Sequence, residues 1–472
     1  MLFGVLAVPL LLAVGIATDY SRGVSARAHL QELADATGLA LAASGEKEFE
    51  KLKELAESFV VSHKSLSPVG TVAIAALDAS ETSIDIRLQG RIETHFMGLA
   101  GIHYVDVQAS ALAERAVTGS VEVVLVLDNT WSMSAPGPTG LPKIATLKTA
   151  ATALATELLQ NKDASVRIGL VPYADYVNVG TKYRSSSWLD VPADYIVPAT
   201  AQTCTTSTTK SVCVQNAPTY ACTKTVDGVV EPATCGGGCT KSVTQTVPPY
   251  QSCSGGSSKK TYKWYGCVGS RTNSDSRLHD EKPSDRYPGY VETSQKCLNP
   301  ILPLTDDLQV VLVGISGMII NIGSYKPYTY IPAGLIWGQN LLSRAEPFAQ
   351  GGAYDPANRK PRKVAVLMTD GENTLRFRNS DGRHVMPSSN ATIAKGELQK
   401  TDDDTAAICE YMKAHHIELY TVAFMVTDPA SKAMLEGCAT DSKHYFDASD
   451  PAQLLAAFSG IAQALSQVRL AR

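Results

Sequence analysis

Oxygen-bearing side chains follow two apolar segments of the sequence, and their types point to metal chemistry. The first cluster, in the stretch LDNTWSMS, contains Asp128, Thr130 and Ser132. The second, in MTDGEN, contains Asp370 and Glu372. Carboxylate and hydroxyl oxygens without His or Cys suit a hard divalent cation such as Mg²⁺, Ca²⁺ or Mn²⁺. With so few charged ligands, the cation would keep one position open for an oxygen of a partner.

The elements that must position these clusters are buried strands. Residues 121–128 are almost continuously apolar, as in a central parallel strand, and residues 363–373 repeat the pattern. Other segments alternate along the chain between helix patterns (143–159, 306–320, 333–342, 405–415 and 451–468) and strand patterns (166–171 and 417–424). This alternation predicts an α/β fold with a doubly wound parallel sheet, in which ligands bind at the carboxyl ends of the strands.

The spacing Asp128-x-Thr130-x-Ser132 after an apolar strand resembles the metal-ion-dependent adhesion site of von Willebrand factor A domains, whose usual motif is Asp-x-Ser-x-Ser. Thr329, in TYIPAGLIWGQNLLS, and Asp370 match that family's later Thr and Asp. The resemblance implies that the three hydroxyls contact Mg²⁺, or another divalent cation such as Mn²⁺ or Ca²⁺. It also implies that the two carboxylates bind it directly or through water. A protein ligand that offers a carboxylate would take the remaining position.

Three further stretches are similar to TadG-type proteins of the Flp (tight adherence) pilus system. They are GLIWGQNLLS, CLNPILPLT and the N-terminal DYSRG with LQELADATGLALAA. The resemblance covers nearly the whole chain. It implies a von Willebrand factor A-like domain outside the cytoplasm that acts by binding, not as an enzyme, in pilus assembly or surface adherence. Its partners would be pilus-assembly or envelope proteins.

These patterns divide the chain into four segments. We expect a membrane anchor with a continuing helix at 1–45, a small α+β domain at 46–118, a von Willebrand factor A-like domain at 119–472, and a cysteine-rich insertion at 181–300 within that domain. In the small domain Ile84, Ile86 and Leu88 alternate with polar residues, which is typical of a half-buried strand.

The first 17 residues carry no charge and predict the membrane anchor. As a helix they would span about 26 Å, slightly less than the roughly 30 Å of a bilayer core. A cleaved signal peptide is the alternative, but no charged segment precedes the run. Arg22 and Arg27 would favour a cytoplasmic body, whereas the cysteines favour an oxidising compartment. We therefore expect a bacterial inner-membrane protein with one N-terminal span, a periplasmic or extracellular body, and a short basic segment upstream of Met1.

Eight of the ten cysteines lie between Cys204 and Cys297, in a stretch with little hydrophobic periodicity. Such a stretch needs covalent cross-links to hold a structure, so disulfides are favoured. The stretch CGGGC invites a zinc interpretation, but a second close pair with the right spacing is absent. Eight cysteines allow about 105 pairings, and the sequence does not choose among them. Cys409 and Cys438 are left as a separate candidate pair.

Composition excludes some functions and leaves others open. The chain has 472 residues with 42 basic and 46 acidic side chains, too even a balance for a protein that neutralises nucleic-acid phosphates. A structural envelope scaffold with a vestigial metal site is one alternative, favoured by Trp131 where such sites often have Gly. An aspartyl-phosphate phosphatase is another, but that class needs an Asp two residues after the nucleophile, where this chain has Thr130.

Overall fold

A computed structural model describes residues 2–46, 48–63, 70–80, 83–115, 120–160, 165–274, 276–281, 285–466 and 470–471. The described residues divide into two compact units. The first contains those of 1–120 together with 165 and those of 463–472, and the second contains 121–160 and those of 166–462. The four segments expected from the sequence stay a prediction.

The helices of the described chain follow the apolar periodicity of the sequence. In chain order they are α1 (Leu2–Ala43), α2 (Phe49–His63), α3 (Lys143–Gln160), α4 (Leu308–Ser316), α5 (Ile331–Leu342), α6 (Ala391–Ala414), α7 (Pro429–Cys438) and α8 (Pro451–Ser466). Short 3₁₀ turns lie between them, one of them at Trp131–Ser134.

The strands vary widely in length and burial. The first eight strands in chain order are β1 (Thr71–Ala79), β2 (Ser83–Glu93), β3 (Tyr104–Glu114), β4 (Ser120–Asp128), β5 (Ser165–Tyr173), β6 (Val177–Asn178), β7 (Leu189–Asp190) and β8 (Tyr195–Val197). The rest are β9 (Thr203–Asn216), β10 (Thr219–Val226), β11 (Val229–Gly236), β12 (Cys239–Ser254), β13 (Lys260–Val268), β14 (Tyr287–Glu292), β15 (Leu302–Thr305), β16 (Arg362–Thr369), β17 (Arg376–Phe377), β18 (His384–Val385), β19 (Glu418–Phe424), β20 (Tyr445–Ala448) and β21 (Leu470–Ala471).

The first unit packs helix α1 on an antiparallel sheet ordered β1-β2-β3-β21. The expected alternation is present, because Ile84, Ile86 and Leu88 are fully buried on one face of β2. They share a core with Leu30 of α1 and Leu52 of α2. Apolar residues at alternate strand positions therefore form this core, as the sequence predicts.

The predicted membrane span is wrong. In the part of the chain that the structure describes, no helix is long and apolar enough to cross a membrane. Helix α1 is long, but Asp19, Arg22 and Arg27 follow its apolar stretch, so that stretch stays shorter than the roughly 20 residues a span requires. The expectation of an inner-membrane protein with a single N-terminal span is corrected accordingly.

The second unit contains a six-stranded sheet ordered β15-β5-β4-β16-β19-β20. β4, β16, β19 and β20 run parallel to their neighbours in this series. Helix α5 is buried along its whole length, and its glycines allow this. A Cβ at Gly334 would stand 2.6 Å from the Tyr173 ring, and one at Gly338 would stand 2.7 Å from Val126, so only glycine permits the close approach.

The predicted fold class, a doubly wound parallel sheet of the von Willebrand factor A type, is wrong for this chain. The described strands fall into six sheets, and the largest of them is mixed because β15 pairs antiparallel with β5. Many strands pair locally, in the first unit and in the cysteine-rich segment, and so never join a parallel sheet. The individual strand predictions at 121–128, 166–171 and 417–424 are nevertheless confirmed.

All ten cysteines form disulfides. Three of the five disulfides cross-link a long two-stranded segment, which we call the hairpin finger (residues 203–254). It consists of β9 paired with β12 and, farther out, β10 paired with β11. The backbone joins the two pairs, since Ala217 N–H donates to the Gly238 carbonyl at 2.9 Å. The cross-links expected in this stretch are thus confirmed, and so is the separate Cys409–Cys438 pair.

Candidate functional site

Strand register brings the two oxygen-bearing clusters together. β4 and β16 are adjacent and parallel, with Leu127 opposite Met368. Asp128 ends β4, and Asp370 directly follows the end of β16. Because parallel strands end at the same edge, the side chains after them meet there. After β4 the chain turns into the short 3₁₀ helix that carries Ser132.

Hydrogen bonds connect the clusters into one polar group. The Thr130 and Ser132 hydroxyl oxygens lie 2.7 Å apart, and the Ser132 hydroxyl donates to Asp370 Oδ1 at 2.6 Å. Asp128 is oriented from both sides: the Thr130 N–H donates to its Oδ1 at 2.9 Å and the Thr369 hydroxyl donates to its Oδ2 at 2.8 Å. The buried side chains of Asp128 and Thr130 are therefore held in fixed positions.

One further residue of this group, Asp227, was not predicted from the sequence. It lies at the turn between β10 and β11, at the tip of the hairpin finger, and is 4% exposed. Its Oδ2 accepts from the Ser132 N–H at 2.9 Å, and its Oδ1 accepts from the hydroxyls of Thr329 at 3.1 Å and Thr374 at 3.2 Å. Thr329 therefore reaches the group through Asp227.

A turn signal for Asp227 was present in the sequence. Asp-Gly between two apolar runs, as in TVDGVV, is typical of a two-residue hairpin turn with both central residues at positive φ. The structure has this turn, with φ of 47° at Asp227 and 75° at Gly228. The signal predicts the hairpin, but not where its tip lies.

Burial makes this group of carboxylates electrostatically costly. Burial raises the pKa of Asp128 to about 7, and repulsion from Asp370 adds to the shift. Burial also raises the pKa of Asp227, with Asp370 again contributing. Lys143 Nζ offsets part of the charge by pairing with Asp370 Oδ2 at 2.9 Å. Buried carboxylates this close together are unfavourable unless further positive charge compensates them.

The donor chemistry fits a hard cation. Apart from the Lys143 ammonium group that pairs with Asp370, the side chains that meet here offer carboxylate and hydroxyl oxygens, the ligands that Mg²⁺, Mn²⁺ and Ca²⁺ prefer. Within the described ranges no group of three or more His, Cys, Asp or Glu residues is arranged to hold a metal ion. Any cation bound at this edge would therefore depend on the hydroxyls as well as on the carboxylates.

Aromatic and charged residues form the rim of the group. Lys326 Nζ lies 4.0 Å from the centroid of the Trp131 ring and pairs with Glu231 of the hairpin finger. The backbone N–H of Trp131 donates to the Pro327 carbonyl at 3.1 Å. Trp131, which stands where such adhesion sites often have Gly, therefore contacts the loop before Thr329 beside the finger.

The N-terminal helix resembles pilus-assembly proteins. Residues 1–45 match a family described as Flp pilus-assembly TadE/G-like. This match supports a role related to pilus assembly. No curated protein matches the sequence.

Several solved structures resemble the chain at low identity. The pilus adhesin SpaC from Lactobacillus rhamnosus GG is 11% identical, with 84% of this chain and 34% of the adhesin covered and a TM-score of 0.35. The vWF domain of the type V pili tip protein Mfa5 from Porphyromonas gingivalis is 14% identical, with 74% and 96% covered and a TM-score of 0.35. Proximal thread matrix protein 1 from the mussel byssus, with a zinc-occupied MIDAS motif, is 11% identical, with 73% and 47% covered and a TM-score of 0.31.

The share of each solved chain that this chain covers differs among these structures. The chain spans about a third of the SpaC chain and about half of the mussel protein.

Proposed function

We propose that this protein acts by binding in pilus assembly or surface adherence, through a metal-ion-dependent adhesion site of the kind found in von Willebrand factor A domains. Asp128, Thr130, Ser132, Thr329 and Asp370 would hold a divalent cation, Mg²⁺ or a similar ion. The observation that carries the proposal is the hydrogen-bonded series from the Thr130 hydroxyl through the Ser132 hydroxyl to Asp370.

The chain's own residues supply the positioning. The Thr369 hydroxyl and the Thr130 N–H orient the two oxygens of Asp128, and Lys143 orients Asp370. A bound divalent cation would add positive charge where burial now disfavours the carboxylates and would attract a further oxygen ligand. The partner would be a pilus or envelope protein that offers an acidic side chain.

A structural scaffold is the second candidate function, and one observation favours it. Each of the three carboxylates already accepts hydrogen bonds from neighbouring donors, and Trp131 with Lys326 covers the rim of the group. In that case the polar group would stabilise the edge of the sheet without a cation. A phosphatase is the weaker enzymatic alternative, because the residue two positions after Asp128 is Thr130, which cannot serve as an acidic proton donor.

Calorimetric titration of the full chain with Mg²⁺ and Mn²⁺ separates the two candidates. We expect saturable binding in the unmodified protein, and an affinity lower by about tenfold or more in Ser132→Ala and Asp370→Asn. The matched control is Asp447→Asn, which removes a carboxylate from an exposed ion pair with Lys432 in the same unit and should leave binding unchanged. A folded protein that takes up neither ion would exclude the adhesion mechanism in favour of the scaffold.

A further inference from the structure

The tip of the hairpin finger is buried although most of the finger is exposed. Most residues of β9 and β12 are exposed, and in the outer strand pair Tyr220 of β10 and Val230 of β11 are 62% and 63% exposed. Asp227 is only 4% exposed. The finger therefore has little core of its own and inserts a single acidic side chain into the polar group at the sheet edge.

Covalent cross-links hold the two arms of the finger together along its length. Cys204–Cys253 lies near the base, Cys213–Cys239 lies midway, and Cys222–Cys235 lies close to the tip. Cross-links of this kind restrict the conformations open to a chain segment that lacks an apolar core. The cross-linked finger thus carries Asp227 to the edge of the sheet.

Two sets of contacts fix the tip to the site. Asp227 accepts hydrogen bonds from the backbone of Ser132 and from the Thr329 and Thr374 hydroxyls. Beside it, Glu231 pairs with Lys326, whose ammonium group also lies over Trp131. The carboxylate therefore contacts two of the residues expected to bind the cation, and the ion pair closes one side.

Turn geometry alone does not account for this arrangement. An Asp before Gly suits a two-residue hairpin turn, and an Asn would suit it equally. The turn does not require a carboxylate that accepts hydrogen bonds from Ser132, Thr329 and Thr374. Placing it near two other buried carboxylates is unfavourable, so its position calls for a compensating partner.

We propose that Asp227 is an internal ligand of the site: it supplies the carboxylate that would otherwise come from a partner, so the isolated chain is self-occupied. A partner with an acidic side chain would have to displace the finger tip to bind. This inference rests on the proposed function, because it requires that the site bind a cation.

The test compares full-length protein with Asp227→Asn, using Mn²⁺ as the probe and water-proton relaxation as the readout. We expect the Mn²⁺ dissociation constant to rise about tenfold in the variant, and the relaxivity of its bound Mn²⁺ to increase as water replaces the carboxylate. Added acetate should lower that relaxivity in Asp227→Asn and leave the unmodified protein unchanged. Asp447→Asn is the matched control: it makes the same Asp-to-Asn change in an exposed ion pair with Lys432, away from the finger, so its relaxivity should match that of the unmodified protein.

A second measurement needs no variant. Hydrogen exchange of the unmodified protein is followed with and without Mn²⁺, and the cation should slow exchange both at 128–134 and at the finger tip, residues 222–235. Slowing at 128–134 alone, or an Asp227→Asn relaxivity equal to that of the unmodified protein, would overturn the internal ligand and leave the proposed function standing. Absence of saturable Mn²⁺ binding in the unmodified protein would overturn both.

Discussion

The hairpin finger and the six-stranded sheet are both built from β-strands, but they bury very different surfaces. β4 is buried along nearly all of its length, whereas β9 and β12 expose most of their residues. The sheet is stabilised by apolar packing around helix α5. The finger depends on three disulfides and on local strand pairing.

This difference separates the contributions of the two regions to the site. Asp128 and Asp370 are positioned by the strands that precede them, so they should stay in place as long as the sheet is folded. Asp227 is positioned by the finger, so it should be lost from the site when the finger loosens. The two regions can therefore be perturbed independently, and the following expectations are ordered from the largest effect to the smallest.

The largest effect is expected from the buried ion pair inside the sheet. Lys363 Nζ lies 2.6 Å from Glu122 Oε2, and both side chains are 1% exposed. Lys363→Met removes this partner from the buried Glu122 carboxylate, which keeps its pair with Arg167. The cost should therefore lie at the lower end of the about 3–5 kcal/mol lost when a buried pair is broken. We expect the free energy of unfolding, measured in urea by tryptophan fluorescence, to fall by that amount while the finger disulfides stay intact.

Lys432→Met is the matched control for that substitution. It breaks an ion pair with Asp447 whose side chains are 32% and 42% exposed, and such exposed pairs contribute roughly 0–1 kcal/mol. A similar loss in both variants would contradict the view that burial makes the Lys363 pair important.

Removing one disulfide from each region tests the comparison directly. The Cys409–Cys438 disulfide joins positions 29 apart in the sequence beside the sheet, whereas Cys222–Cys235 joins positions 13 apart in the outer part of the finger. Cys409→Ala with Cys438→Ala should lower the free energy of unfolding of the sheet by about 3–4 kcal/mol, from the chain entropy released in the unfolded state. Cys222→Ala with Cys235→Ala should leave that transition nearly unchanged and accelerate hydrogen exchange in the finger. Equal losses in the two double variants would show that the finger and sheet unfold as one.

Much of the sheet side of the site could be predicted from the sequence. Residues 121–128 and 363–369 are apolar and flanked by polar residues, and parallel pairing then brings Asp128 and Asp370 to one edge. Local composition suffices for that prediction, because a strand buried on both faces of a parallel sheet must be almost continuously apolar. The direction of β15 depends on how the chain returns after a long insertion, and no local pattern encodes this.

The finger side could not be predicted in the same way. The cysteines require cross-links, but their pairing depends on the hairpin register, which Thr- and Ser-rich strands with little periodicity do not specify. The position of Asp227 follows only after the whole finger has been traced. Asp-Gly predicts a turn, and nothing nearby in the sequence predicts its neighbours Ser132 and Thr329.

Helix α6 shows a smaller error with a clear cause. The sequence predicts that this helix starts near residue 405. In the structure it begins at Ala391 after the cap Asn390, whose side chain accepts from the backbone N–H groups of Thr392 and Ile393. The acidic residues 402–404 lie inside this helix, and two of them pair with side chains from other parts of the chain. Arg277 pairs with Asp404, and Asn373 donates to Asp402 at 2.9 Å. Tertiary pairing thus allows acidic residues within a helix where local rules favour its first turn.

The smallest effect is expected from a histidine of the sheet unit that does not contact the finger. The His444 ring lies 2.9 Å from Glu418 and 2.7 Å from Asp441. Burial alone would lower the pKa of His444, but hydrogen bonds to both carboxylates outweigh it and raise the pKa. For Glu418 burial opposes the change, yet the His444 bond and the Arg362 charge lower its pKa to about 2.

These shifts predict a defined pH dependence. A histidine whose pKa rises on folding stabilises the protein below its unfolded pKa of about 6.5, and that contribution is lost as the pH rises through the folded value. The Glu418 contribution has the opposite sense: it is present above the unfolded pKa and lost as the pH falls toward about 2.

We therefore expect His444→Gln to lower the free energy of unfolding by about 1.5 kcal/mol near pH 5, and by progressively less toward pH 9. Urea unfolding at several pH values measures this, with His63→Gln, an exposed histidine of the other unit, as the control. A difference that stays constant with pH would mean that the ring stabilises the sheet by packing alone. A change in hydrogen exchange at the finger tip would mean that the two regions are coupled more tightly than their contacts imply.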